Sequence, residues 1–194
     1  MRRLCVFAGS STGARPDYAD AARALAFEMV RRRLGIVYGG GSVGLMGALA
    51  DAALEAGGEV IGVIPKPLAS RELAHTGLTD LRLVESMHER KATMAALVDG
   101  FVALPGGLGT LEETLEVITW SQLGIHRKPI GVLNVAGYFD GLLRLLTHAI
   151  AEGFVRRDDL GLLVLEDTPA ALLDALHAWR PPALPRAWLD PSQT

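Results

Sequence analysis

Pro105-Gly106-Gly107-Leu108-Gly109-Thr110-Leu111-Glu112-Glu113 follows directly on the apolar run Phe101–Leu104 and leads into a periodic stretch that closes near Leu123. A strand that enters a glycine loop and then a helix is the repeating unit of a parallel α/β sheet. Gly106, Gly107 and Gly109 let bare backbone approach a ligand. The unpaired N–H groups of the new helix then point at an anion, and the helix dipole favours it. No Gly-Lys-[Ser/Thr] is present, so this is not the loop that cradles a nucleoside triphosphate. Thr110 reads as an N-cap-like hydroxyl, with Glu112 and Glu113 in the first helical turn. First-turn acids commonly do no more than complement the dipole. A carboxylate beside a bound phosphate needs another task, such as acting on the sugar or on a water.

The same unit recurs outward in both directions. Strands are expected at Leu4–Ala8, Gly35–Tyr38, Val60–Ile64, Leu81–Val84, Phe101–Leu104, Ile130–Asn134 and Leu162–Leu165. Helices are expected at Pro16–Arg33, Val43–Ala56, Met87–Val98, Gly109–Leu123, Phe139–Glu152 and Pro169–Trp179. The strands are continuous apolar runs, the mark of strands buried on both faces. Right-handed crossovers then give an α/β, Rossmann-like three-layer fold, a parallel sheet flanked by helices. Residues 1–180 form one expected domain, followed by a proline-rich tail at 181–194 that is expected to lie on the surface or on a partner subunit.

Ligands of such sheets bind outside the carboxyl ends of the strands. Three glycine loops fall there: Gly9-Ser10-Ser11-Thr12-Gly13, Gly39-Gly40-Gly41-Ser42-Val43-Gly44, and Pro105–Thr110. The middle one matches G-x-G-x-x-G, but a dinucleotide reading needs an acid at the end of the next strand. Glu59 precedes that strand instead, at its wrong end. A tight turn for close packing accounts for this loop as well as a ligand contact does. Arg90 and Lys91 open the helix before the Pro105 loop and supply cations suited to a phosphate or carboxylate.

Bulk properties exclude several classes. A net charge of -3 offers no positive field for DNA or RNA. Cys5 is the single cysteine, so no internal disulfide forms, and a reducing, cytoplasmic location is expected. The N-terminal apolar run is too short for a signal peptide, and no run approaches the ~18 residues of a membrane span. The five histidines show no metal-ligand spacing, so neither metal nor cofactor is expected. Trp120 reads as packing rather than base stacking.

Together, Phe7–Ser11, Tyr38–Gly47, Met87–Lys91, Pro105–Glu113, Thr119–Gly124 and Gly131–Asn134 resemble the LONELY GUY (LOG) family, long labelled "lysine decarboxylase-like". Its signature PGGxGTxxE is satisfied from Pro105 to Glu113, and the likeness spans about residues 4–166. The resemblance implies an N-glycosidase, a phosphoribohydrolase that cuts cytokinin riboside 5′-monophosphates and AMP into free base and ribose 5-phosphate. It implies a catalytic pair, Arg90 and Glu113. It implies substrate contacts at Glu72, Lys91, Gly107, Leu108, Gly109, Thr110, Leu111, Glu112 and Thr119. It also implies a homodimer or larger assembly with sites near subunit contacts. Ala8 departs from the family's frequent Cys, and Leu108 from its frequent aromatic.

Two rivals remain in the sequence. A pyridoxal phosphate decarboxylase needs a buried Schiff-base lysine. Lys66 lies between two prolines, Lys128 precedes Pro129, and neither position suits that role. A non-catalytic nucleotide- or cofactor-binding module on the same fold, like relatives that bind molybdenum cofactor, has no need of the Arg90–Glu113 pair.

Overall fold

The computed structural model describes residues 1–69 and 74–182. Its strands are β1 (Arg3–Phe7), β2 (Gly35–Tyr38), β3 (Val60–Pro65), β4 (Asp80–Val84), β5 (Gly100–Ala103), β6 (Ile130–Leu133) and β7 (Leu163–Glu166). The helices are α1 (Pro16–Arg31), α2 (Gly44–Glu55), the single turn α3 (Lys66–Leu68), α4 (Met87–Ala96), α5 (Leu108–Leu123), α6 (Asp140–Ala151) and α7 (Pro169–Ala178). All strands pair in parallel, in the order β4-β3-β2-β1-β5-β6-β7.

The expected two-sided burial is visible within single strands. Leu4 and Val6 of β1 pack with α1, α2 and α7, whereas Cys5 and Phe7 pack with α4 and α5. On α1 the buried residues Ala22, Leu25, Ala26 and Met29 repeat at helical spacing and form its sheet-facing stripe. Each fully buried Leu or Met contributes about 1.5–3 kcal/mol, so this stripe fixes the helix more firmly than its propensity does.

Some boundaries differ from the sequence reading. α1 stops at Arg31, two residues early, because Arg33 takes a left-handed φ of 59°. There the Arg33 N–H bonds Val30 O at 2.9 Å and the Leu34 N–H bonds Met29 O at 2.9 Å, a cap that glycine usually fills. α5 begins one residue early, at Leu108. The α3 turn and the 3-10 turns Val135–Gly137 and Arg157–Leu162 were not foreseen. Of the proline-rich tail, residues 183–194 lie outside the described residues. No described helix is long and apolar enough to cross a membrane.

β1 sits at the centre, with β2 on one side and β5 on the other. The chain's direction across the sheet reverses there, which opens a crevice above the carboxyl ends of β1 and β5. The glycine loops after β1, β2 and β5 meet over that crevice. Gly44 (φ +64°) marks the closest approach: a Cβ on it would lie 2.3 Å from the Ser10 carbonyl carbon and 2.5 Å from Ser11 N. Backbone cannot step aside as a side chain can. Gly44→Ala is therefore expected to lower stability by roughly 2 kcal/mol or more, read by equilibrium urea unfolding. An unchanged midpoint would contradict the packing.

Candidate active site

The helix N-terminus after β5 is built as the sequence implies, with one shift. Gly107 is the N-cap, with no side-chain cap, and Leu108, Gly109 and Thr110 are the first three helical residues. The first main-chain bond of the helix runs from Leu111 N to Gly107 O, at 3.1 Å. The amides of Gly107, Leu108, Gly109 and Thr110 precede any helical acceptor, an open N–H end of the kind that suits an anion. Thr110 is thus not the cap. It is 4% exposed, and its hydroxyl sits so close to Gly106 that a Cβ there would meet it at 2.2 Å. Glu112 and Glu113 fall beyond the first turn, because Leu108 and Gly109 are already helical.

The loop after β2 ends in a different way. The amides of Leu45 and Met46, in the first turn of α2, donate to Gly9 O at 2.9 and 3.4 Å. A protein carbonyl fills the place an anion would take, so the G-x-G-x-x-G segment is a packing turn. Glu59 pairs with Arg3 at 2.6 Å, beside the amino end of β3, away from the crevice.

A cavity of about 240 Å³ lies between these loops and is lined by Ser10, Gly39, Met46, Arg90, the Gly107–Thr110 turn and Glu113. Arg90 donates through Nη1 to Glu113 Oε1 at 2.9 Å and through Nε to Val63 O at 3.1 Å. The two side chains are 12% and 10% exposed. Burial pushes the Glu113 carboxyl above its usual 4.5; Arg90 opposes this and Glu112 adds to it. Desolvation outweighs the salt bridge, leaving a carboxylate more basic than an ordinary glutamate.

Glu112, next in sequence, faces elsewhere. Lys91 Nζ bonds Glu112 Oε1 and Glu116 Oε1, both at 2.8 Å, clipping α4 to α5. Burial would lower the Lys91 ammonium, but these two acids outweigh it and hold it above its usual value. Leu108 is 86% exposed on the cavity rim. The Leu111 side chain packs with Ala103, Val132 and Phe139, so only its backbone belongs to the loop. Thr119 is exposed, bonds Leu115 O at 2.8 Å, and stands about 9 Å beyond Glu113 along α5. Glu72 lies outside the described residues. One chain therefore gathers Arg90, Glu113 and Gly107–Thr110, while Lys91 and Thr119 point to other surroundings.

Met46, legible only as part of the Tyr38–Gly47 segment, and Met94, which carried no signal, also wall the cavity. Gly39 was visible only as a loop glycine, yet a Cβ on it would lie 2.1 Å from Arg90 Nη2. Among the described residues no group of three His, Cys, Asp or Glu could hold a metal ion. Lys66 pairs with Glu85, and Lys128 Nζ bonds Ala95 O.

Fold and site together define a Rossmann-like α/β protein with an open helix N-terminus and a buried carboxylate–guanidinium pair in one crevice. A family profile described as "Possible lysine decarboxylase" matches residues 46–176. The chain is 51% identical over 181 residues to "Probable cytokinin riboside 5'-monophosphate phosphoribohydrolase LOGL2" of Oryza sativa subsp. japonica, covering 93% of this chain and 74% of that protein. It is 49% identical to "Cytokinin riboside 5'-monophosphate phosphoribohydrolase LOG7" of Arabidopsis thaliana, over 93% of this chain and 83% of that one. The chain belongs to the LONELY GUY family. Its fold is shared with the molybdenum cofactor carrier protein of Chlamydomonas reinhardtii, at a TM-score of 0.69 and 20% identity, over 92% of this chain and 97% of that one.

Because the atom that crowds Gly39 is the end of a flexible side chain, Gly39→Ala should fold but displace the Arg90 guanidinium. With Arg90 moved away, the Glu113 carboxyl should titrate still higher. Carbon-detected NMR of the Glu113 carboxyl in wild type and G39A measures this. A pKa that stays put would show that Arg90 does not need the space.

Proposed function

We propose that the protein hydrolyses the N-glycosidic bond of cytokinin riboside 5′-monophosphates and AMP, releasing free base and ribose 5-phosphate. The observation that carries this reading is the buried Arg90–Glu113 pair in the same cavity as the open helix end of α5. The relatives at about half identity are named for this activity. A simple nucleotide carrier gains nothing from a desolvated ion pair, which costs several kcal/mol per ion to bury.

Breaking the C1′–N bond develops positive charge on the ribose. The phosphate, held by the amides of Gly107, Leu108, Gly109 and Thr110, anchors the sugar beneath Glu113. The Glu113 carboxylate stabilises the cationic sugar and accepts a proton from the attacking water. Arg90 positions Glu113 and balances the negative charge developing on the departing base; the proton taken up by Glu113 then passes to that base, giving the neutral free base and restoring the carboxylate. Binding energy from the phosphate, remote from the bond that breaks, supports the chemical step.

The same reading takes the working form as a homodimer. Leu108, Leu115, exposed by 40%, and Thr119 lie along one exposed stripe of α5. A second copy seated on that stripe brings Thr119 and Lys91 toward its own substrate, and Glu72 completes the set of contacts.

Three results are expected. Purified protein should release adenine from AMP and far less from adenosine, followed by chromatography; binding of AMP without release would favour a non-catalytic module. Glu113→Gln should lower kcat by on the order of 10²-fold or more with little change in KM. The pH profile of kcat/KM should fall on its acidic side through a pKa above the usual 4.5 of a glutamate, because the base works only when ionised. An acidic limb at or below that value would remove Glu113 from the role.

A further inference from the structure

The sequence segment Gly131–Asn134 and the turn after it have no part in the reaction described above, yet they reach the phosphate loop. Asn134, 7% exposed, follows β6 directly. Its side-chain oxygen accepts from Phe139 N at 2.8 Å and its amide donates to Asp140 Oδ1 at 2.9 Å. This closes a tight turn in which Ala136 takes a left-handed φ of 52°. A non-glycine residue held there marks a turn that its surroundings over-determine. The turn delivers Tyr138. Its ring meets Tyr18 edge-on at 5.8 Å and Phe139 at 5.0 Å, and its hydroxyl donates to the carbonyl of Gly106.

We propose that Tyr138 is a positioning residue that aims the phosphate-binding amide of Gly107. The inference rests on reading this loop as the phosphate anchor. In a trans peptide the C=O and the following N–H point in opposite directions, and the described chain has no cis bond. Holding the Gly106 carbonyl toward Tyr138 therefore turns the Gly107 N–H away from it. Tyr138 lines a separate cavity of about 190 Å³ on its own side of the loop, with Tyr18 and Gly13. Thr110, Arg90 and Glu113 line the nucleotide cavity, and Tyr138 does not. The hydroxyl thus acts across the peptide plane, from outside the site, on a donor inside it.

The rest of the loop leaves this one peptide to be fixed. Gly9 N bonds the Pro105 carbonyl at 3.1 Å, and Leu111 N bonds the Gly107 carbonyl at 3.1 Å, which secures the peptides on either side. Gly106 itself has no side chain to resist rotation. Among the described residues Tyr138 is the one side chain that bonds its carbonyl.

Tyr138→Phe keeps the ring and removes only the hydroxyl. Calorimetric binding of ribose 5-phosphate and of adenine to the intact wild-type and Y138F proteins tests the idea without relying on turnover. Loss of one oriented donor should weaken ribose 5-phosphate about three- to ten-fold and leave adenine unchanged. With AMP as substrate, KM should rise by a similar factor while kcat and the acidic limb of the pH profile hold. Equal ribose 5-phosphate affinity in the two proteins overturns the role of Tyr138 while leaving the phosphate anchor in place. Parallel weakening of ribose 5-phosphate and adenine also overturns it, since that is the mark of a general structural effect. A wild type that fails to bind ribose 5-phosphate overturns the anchor itself, and this inference with it.

Discussion

The main chain of Gly9 ties the three glycine loops together. Its N–H donates to the Pro105 carbonyl, while its own carbonyl accepts two amides in the first turn of α2. A Cβ here would press against Gly106 Cα, the Pro105 carbonyl and the Ser11 carbonyl, each at 3.1–3.2 Å. Two helix ends compete for negative partners at the switch point of the sheet. Gly9 settles the competition by giving α2 a permanent acceptor, which leaves α5 alone to face an anion. The buried strands set where the loops begin, but this hydrogen-bonded junction sets what each loop can do.

The ion pair in the cavity is held by the fold rather than holding it. Buried pairs commonly do little for stability, because desolvation offsets attraction. Here burial raises Glu113 even with Arg90 at 2.9 Å, so the balance favours solvent's side of the ledger. Packing must impose the arrangement. Val63 O anchors the guanidinium, Gly39 clears its path, and the rigid α4 and α5 fix the two backbones. Lys91, spanning Glu112 and Glu116, joins those helices on the outside of the pair.

The sheet was legible because its strands are short unbroken apolar runs between glycine turns and amphipathic helices. The turn from β5 into α5 was legible because its glycine-rich composition serves one geometry. What escaped the sequence depended on rotation and contact. Successive helix residues lie about 100° apart, so the division between Glu112 and Glu113 follows from where α5 begins, a boundary read one residue late. The same shift moved both acids out of the first turn and removed Thr110 from the cap. The G-x-G-x-x-G segment left two readings open until the Gly9 carbonyl was seen to fill its helix end. Gly39 and Tyr138 gave no sign of their roles, since each acts through a neighbour distant in sequence.

A loop braced from several sides also governs how a reaction ends. Once the glycosidic bond is cut, the two products are held unequally. With the phosphate seated as proposed, the free base keeps only the walls around it, whereas the sugar phosphate keeps the full grip of the α5 amides. On the proposed reaction this imposes an order of departure, base first and sugar phosphate last. An anchor that raises affinity for substrate then becomes a brake on turnover, and accumulated sugar phosphate would throttle the enzyme at the same place where the nucleotide enters.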